Sequence, residues 1–269
     1  MWSPDGAQLV FGSQVGTSWE LWIMDADGTR QRRLHGDIVA KSSRGWCAGN
    51  NLVAFAARVD NDIEIFTVDP AGAPPTRLTS SRGEDRDPSW SPDCRHLVFS
   101  SARDGNAEIY MMRADGGDVR RLTSDAGSDS SPAWSPDGSL IAFVSNRSGA
   151  GELYAIRADG QGLRQLTTGG GSTRDAPRWS PDGSRIAYQI ARGKNYDIGV
   201  VRLSDGRRGD LARSAAYDGM YAWAPDSTHL AFVSARHGIE ALYIAQADGQ
   251  RMQRVTDTPS LNPAWTRGQ

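Results

Sequence analysis

The pentapeptide Trp-Ser-Pro-Asp-Gly stands three times in the chain, at residues 2–6, 134–138 and 179–183. Aligned on its Trp, further copies begin at Trp46, Trp90, Trp223 and Trp265, so the spacings are 44, 44, 44, 45, 44 and 42 residues. A period of this size indicates a propeller or a solenoid, and the content of one period decides between them. In the fourth copy the turn is followed by Leu140-Ile141-Ala142-Phe143-Val144, a polar loop with Gly149 and Gly151, and the partly alternating run 152–157. The hairpin signal Ala158-Asp159-Gly160 and a short strand at 163–167 complete it, and Ser131-Pro132-Ala133 leads into Trp134. Four short strands per period, with turn signals between them and no helical periodicity, predict an all-β, six-bladed β-propeller with four antiparallel strands per blade. One domain over residues 1–269 is expected, with residues of about 258–268 completing blade 1 so that the carboxyl-terminal strand closes the ring.

The pentapeptide itself reads as structure. Ser as a local acceptor, Pro with its φ already set, Asp and then Gly suit a type I turn position by position. The Trp before it can bury about 150–250 Å² between neighbouring blades, a gross gain of roughly 4–6 kcal/mol as an upper bound. Cys94 and Ser227 replace the Gly and Ala224 the Ser, substitutions that a type I turn tolerates. Only Trp46-Cys47-Ala48-Gly49-Asn50 loses the Pro-Asp pair and must turn differently.

Two further positions recur. An acid precedes the apolar pair of the third strand at Glu20, Glu64, Glu108, Glu152 and Asp197, with Ala241 in the sixth copy. An Arg lies in the loop between second and third strands at Arg58, Arg103, Arg147, Arg192 and Arg236, with Gln14 as the first-copy counterpart. Ion pairs or loop hydrogen bonds within or between blades account for them better than a ligand, since one ligand cannot touch the outer loops of every blade.

Composition excludes several classes of function. Thirty basic residues, of which only Lys41 and Lys194 are lysines, are scattered among 32 acidic ones for a net charge of −2. No basic stripe offers itself to a phosphate backbone, so nucleic acid is not an expected partner. No apolar run reaches the length of a membrane span, and Met1-Trp2-Ser3-Pro4 has neither the charged nor the apolar region of a signal peptide. Cys47 and Cys94 sit at different offsets from their nearest Trp in successive copies, and two unpaired thiols are expected. A monomer is expected.

The copies at 134–167 and 88–123, WSPDGSLIAFVSNRSGAGELYAIRADGQGLRQLT and PSWSPDCRHLVFSSARDGNAEIYMMRADGGDVRRLT, resemble the WD-like propeller repeats of the TolB family. The resemblance covers essentially the whole chain and implies a periplasmic or envelope protein that works by binding protein partners. Similar propellers also serve as accessory domains of prolyl-oligopeptidase-like and tricorn-like peptidases.

Chemistry-bearing motifs are sparse. His35, His96, His229 and His237 are dispersed, without the His-Glu-x-x-His or Cys/His spacing of a zinc site. No Gly-x-Ser-x-Gly elbow occurs, and Gly169-Gly170-Gly171 lacks the Lys and helix of a phosphate cradle, so it reads as a bend. One constellation stands out. Asp85, Asp129 and Asp218 each fall five residues before their Trp and Asp175 four before, while Lys41 and Ser260 occupy the other two equivalents. First strands border the channel of a propeller, so these carboxylates converge on one mouth, either as oxygen ligands for calcium (Asp85, Asp129 and Asp218) or as a field that draws in a basic peptide. The structural alternative is that each Asp caps its own turn.

A non-enzymatic protein- or peptide-binding scaffold is the expected function, with no required cofactor and calcium as a possible one. The alternatives are a hydrolase or lyase acting on glycan or peptide at the channel mouth, and a ligand-free propeller retained for its fold. Deleting residues 258–269 is expected to abolish cooperative unfolding; an unchanged melting transition would remove the ring-closure reading.

Overall fold

The structure is a computed structural model that describes residues 1–39, 45–169, 176–259 and 263. By internal packing the chain divides into two compact units, Met1–Trp134 and Ser135–Gln269. The first holds β1 (Gln8–Val15), β2 (Ser18–Asp25) and β3 (Arg32–His35), then β4 (Gly45–Cys47), β5 (Leu52–Val59), β6 (Asp62–Val68) and β7 (Thr76–Arg77). It continues with β8 (Asp85–Trp90), β9 (His96–Ser101), β10 (Glu108–Arg113) and β11 (Arg120–Arg121), and ends on β12 (Asp129–Trp134), which packs along β8 and β9. The second unit holds β13 (Leu140–Ser145), β14 (Glu152–Arg157) and β15 (Arg164–Gln165), followed by β16 (Arg178–Trp179), β17 (Arg185–Arg192), β18 (Asn195–Arg202) and β19 (Arg208–Ala212). Its last strands are β20 (Asp218–Trp223), β21 (His229–Ser234), β22 (Ala241–Gln246) and β23 (Gln253–Arg254). Six sheets follow one another, five with four strands and the first with three, and consecutive strands pair antiparallel. The fold is the six-bladed β-propeller with four antiparallel strands per blade. In blade 1, among the described residues, the innermost position holds a bridge between Trp2 and Leu9 and the bond from the Val10 N–H to the Met1 carbonyl. Residues 258–268, expected to complete this blade, lie almost entirely outside the described residues. Among the described residues no helix is long and apolar enough to cross a membrane.

The pentapeptide turn is held as its letters suggest, with one addition. The Ser3, Ser91, Ser135 and Ser180 hydroxyls accept from the backbone N–H five residues on, at 2.8–3.0 Å. Each donates to the Asp two residues on, at 2.5–2.6 Å. The addition is handedness: the position after Asp has a φ of +70 to +72° at Gly6, Gly138 and Gly183, and +59° and +60° at Cys94 and Ser227. The turn therefore demands a left-handed residue, which Cys and Ser adopt at a conformational cost that Gly avoids, rather than tolerating any residue as a plain type I turn would.

The blade cores are built on cross-strand aromatic pairs. Phe55 faces Phe66, Phe99 faces Tyr110, Phe143 faces Tyr154 and Phe232 faces Tyr243, with ring centroids 5.7–6.0 Å apart. In blade 5 the partner of Tyr188 is Gly199, where an added Cβ would lie 2.7 Å from the Tyr188 ring, so the glycine makes room for the ring. The repeated Trp packs across to the preceding blade: Trp90 joins Ala54, Ile63 and Ile65, and Trp223 joins Ala187 and Ile198 while donating from Nε1 to the Arg178 carbonyl at 2.8 Å.

The cysteines correct the sequence reading. Cys47 and Cys94 form a disulfide, with Cα atoms 5.9 Å apart. Their separation of 47 residues is close to one period, and the propeller lays the turn of one blade beside the turn of the next. Different offsets within the repeat therefore converge in space, which spacing along the chain does not reveal.

Candidate functional site

Blades 2 to 6 carry buried carboxylates, and the first set clamps the outermost strand. Glu64 accepts from the Thr79 hydroxyl at 2.5 Å and pairs with Arg77 at 2.6 Å. Glu108 does the same with Thr123 at 2.7 Å and Arg121 at 2.8 Å, and Glu152 accepts from Thr167 at 2.5 Å. In each case the Thr hydroxyl also accepts from the backbone N–H of the residue after the Glu, at 2.9 Å. Burial raises the Glu108 pKa, but bonds from the Asp125 N–H, Thr123, Arg121 and Asn106 outweigh it and hold the carboxyl below its ordinary value. Asp197 is the exception: burial, with Asp218 and Asp210 nearby, raises its pKa despite Arg192 at 3.0 Å. The recurring acids are thus internal ion pairs and hydrogen bonds of their own blades, as the sequence suggests.

The second set contains the expected binding residues. Asp85, Asp129 and Asp218 open β8, β12 and β20, and all three are fully buried. Asp85 is held by Arg103 at 3.0 Å and by the Ser81 hydroxyl at 3.1 Å. Asp218 is held by Arg236 at 3.0 Å and by the Ser214 hydroxyl at 3.0 Å. Each Arg comes from the loop after the second strand, anchors its Nε on Ser101 or Ser234 at 2.7–2.8 Å, and lies 4.8–5.7 Å from the centroids of its blade's aromatic pair. Arg147 takes the same pose on Ser145, Phe143 and Tyr154. The partners of Asp85 and Asp218 are thus guanidinium and hydroxyl groups, not only the backbone N–H groups of a turn cap. Among the described residues no group of three or more His, Cys, Asp or Glu side chains is arranged to hold a metal ion. Asp175, Lys41 and Ser260 lie outside the described residues.

Two residues beyond each of these aspartates lies a feature that the letters alone do not announce. Asp87, Ser131 and Met220 have φ of +56°, +54° and +48°. Pairing shifts register between Arg86 and Ser89 in β8, and between Gly219 and Ala222 in β20, so these innermost strands are bulged. A Cβ at Gly219 would run into the Tyr217 hydroxyl, so the glycine leaves room for that ring. Arg86 and Asp87 of β8, Ser130 and Ser131 of β12 and Met220 of β20 are half-buried next to their buried aspartates. β8 and β12 sit side by side, with the Ser131 hydroxyl 3.5 Å from Asp87 and the Trp134 N–H donating to Ser89 at 3.5 Å. Left-handed non-glycine residues at matching points of three inner strands cost about 1–3 kcal/mol each and concentrate at binding sites. A separate cleft of about 820 Å³ in the first unit, away from the inner strands, is floored by Leu52, Leu78, Pro74 and Cys94 and edged by Arg95 and His96.

Arg103→Met, which strands the Asp85 carboxylate in the interior, is expected to cost about 3–5 kcal/mol in denaturant unfolding, and Arg103→Met/Asp85→Asn less than the single change.

Comparison with known proteins agrees with this architecture. No curated protein sequence matches the chain. The crystal structure of TolB from Acinetobacter baumannii superposes with a TM-score of 0.70 at 22% identity, covering 95% of this chain and 65% of that one. This chain thus spans about two thirds of the length of that TolB. The crystal structure of an oligogalacturonate lyase from Vibrio parahaemolyticus gives 0.69 at 16% identity, covering 94% and 75%. A puromycin-hydrolyzing peptidase of Mycobacterium tuberculosis gives 0.67 at 13% identity, covering 96% and 46%. At these identities the likeness is one of fold alone. The TolB beta propeller domain matches residues 39–125, 82–176 and 171–267, most of the sequence, and the chain belongs to that family.

Proposed function

We propose that this propeller is a non-enzymatic scaffold that binds a protein or peptide across the beginnings of the innermost strands β8 and β12, in the periplasm or cell envelope. The observation that carries the reading is the bulged row. Arg86, Asp87, Ser130 and Ser131, on the adjacent strands β8 and β12, are held half-exposed by a backbone that accepts left-handed conformations at Asp87 and Ser131, while the adjoining Asp85 is sealed by Arg103. Mixed charge and hydroxyls on a rigid frame suit an extended peptide better than a small molecule. Membership of the TolB propeller family supports both the partner class and the setting.

Peptides selected from a random display library on the intact protein test this. Arg86→Ala/Asp87→Asn and Ser130→Ala are each expected to weaken the selected peptides about tenfold or more, with melting temperatures close to that of the parent. Affinities untouched by both variants would move the surface elsewhere. Turnover of an oligogalacturonide or peptide substrate that disappears in Asp129→Asn would replace the reading with an enzymatic one.

The aspartates serve, in this proposal, as the structural charge behind the binding row. A calcium ion at Asp85, Asp129 and Asp218 has to displace Arg103 and Arg236 from bonds of 3.0 Å. Millimolar calcium added to chelator-treated protein is therefore expected to leave thermal unfolding unchanged. A ligand at about 100 times its dissociation constant adds about 2.7 kcal/mol to the native state, so a calcium-dependent rise absent from Asp85→Asn would assign the aspartates to a cation instead.

A further inference from the structure

Blade 2 is the copy whose turn lacks the repeat's chemistry. Where other turns have Ser, Pro and Asp, it has Cys47, Ala48 and Gly49, so neither the hydroxyl that accepts the N–H five residues on nor the Asp that receives that hydroxyl is present. On blade 3, Cys94 occupies the left-handed position that is Gly in three other turns, at a φ of +59°. Three of these departures touch one another. Cys47 is bonded to Cys94, and a Cβ on Gly49 would come 3.0 Å from the Cys94 sulfur, closer than ordinary packing allows. The Gly49 N–H points at that sulfur at 3.1 Å, and the Asn50 amide donates to the Cys94 carbonyl at 3.3 Å. Asn50 then turns its side-chain oxygen to the Leu52 N–H at 3.0 Å, restoring a local bond that starts β5. Both cysteines are buried, at 6% and 7% exposure, in the cluster that joins Ala54 and Ile65 of blade 2 to Trp90 and Leu97 of blade 3.

We propose that the Cys47–Cys94 disulfide is the staple that holds the turn of blade 2 on blade 3 in place of the lost Ser-Asp chemistry, and that the chain completes its fold in an oxidising, extracytoplasmic compartment. The two thiols lose two protons and two electrons to a protein disulfide oxidant, whose own disulfide is reduced to a dithiol as the Cys47–Cys94 bond forms. Gly49 is small because the bridge needs its space, and Cys94 takes the left-handed conformation that its turn demands, as Ser227 does without a bridge. This inference stands on the turn geometry and is independent of where a partner binds.

The full chain, exported to an oxidising compartment, is denatured without reductant, treated with N-ethylmaleimide and weighed intact. No adduct is expected before reduction and two after it. Reduction of the native protein is expected to lower its melting temperature by roughly 5–15 °C. Cys47→Ser/Cys94→Gly is expected to melt like the reduced protein and to ignore reductant. Adding Ala48→Pro, Gly49→Asp and Asn50→Gly, which rebuilds the repeat's own turn, is expected to recover most of the loss under reducing conditions. Two alkylated thiols in the exported protein before reduction, or a melting temperature indifferent to reduction, would overturn the proposal. A rebuilt turn no more stable than Cys47→Ser/Cys94→Gly would overturn the claim that the bridge substitutes for turn chemistry. If the double variant fails to fold, the two measurements on the parent chain still decide.

Discussion

A buried carboxylate is tolerable only when its charge and lone pairs are met, and this requirement organises the blades. Glu64 and Glu108 sit at the start of third strands with almost no exposure, and each is met by a Thr hydroxyl and an Arg of the outermost strand. Those outer strands are only two residues long, as at β7 and β11, too short to hold themselves by backbone bonds. The buried acid therefore acts as an anchor: losing either partner exposes the sheet edge and leaves an unmet charge inside. Recurrence of Thr79, Thr123 and Thr167 at matching points follows from the same need, and each hydroxyl also accepts from the N–H of the residue after the buried Glu; Thr256 keeps that bond, from the Leu242 N–H, although Ala241 stands in place of the acid.

The inner edge is built on the same principle with different parts. An Arg that lies over an aromatic pair is held in place along its length, so its head reaches Asp85 or Asp218 already oriented. Rigidity at the aspartate lets the strand bulge two residues later without fraying. Charge that looks available in the sequence at Asp85 and Asp218 is consumed inside.

Departures from a repeat carry information that its regularities do not. Blade 5 replaces an aromatic partner by Gly199 and turns Arg192 to Asp197 and Asp210 instead of a ring pair. Blades 2 and 3 exchange turn residues for a disulfide. In both places two or more changes are neighbours in space, so the substitutions compensate one another.

The repeat of Trp, turn, acid and hairpin signals was enough to establish the blade number, the strands per blade and the structural role of the pentapeptide, because each depends on contacts within about 40 residues that recur with the period. The aspartates were visible as a set for the same reason. Their partners were not, since an Arg 18 residues away could as well have faced solvent. The left-handed residues Asp87, Ser131 and Met220 share no letter, and at Asp87 and Met220 that backbone goes with a bulge in the pairing of whole strands rather than with residue type. The pairing of Cys47 with Cys94 depended on one blade lying against the next. Periodicity fixes what each blade contains; only tertiary packing decides which groups of adjacent blades meet, because those contacts join residues a full period apart whose side chains carry no mark of one another.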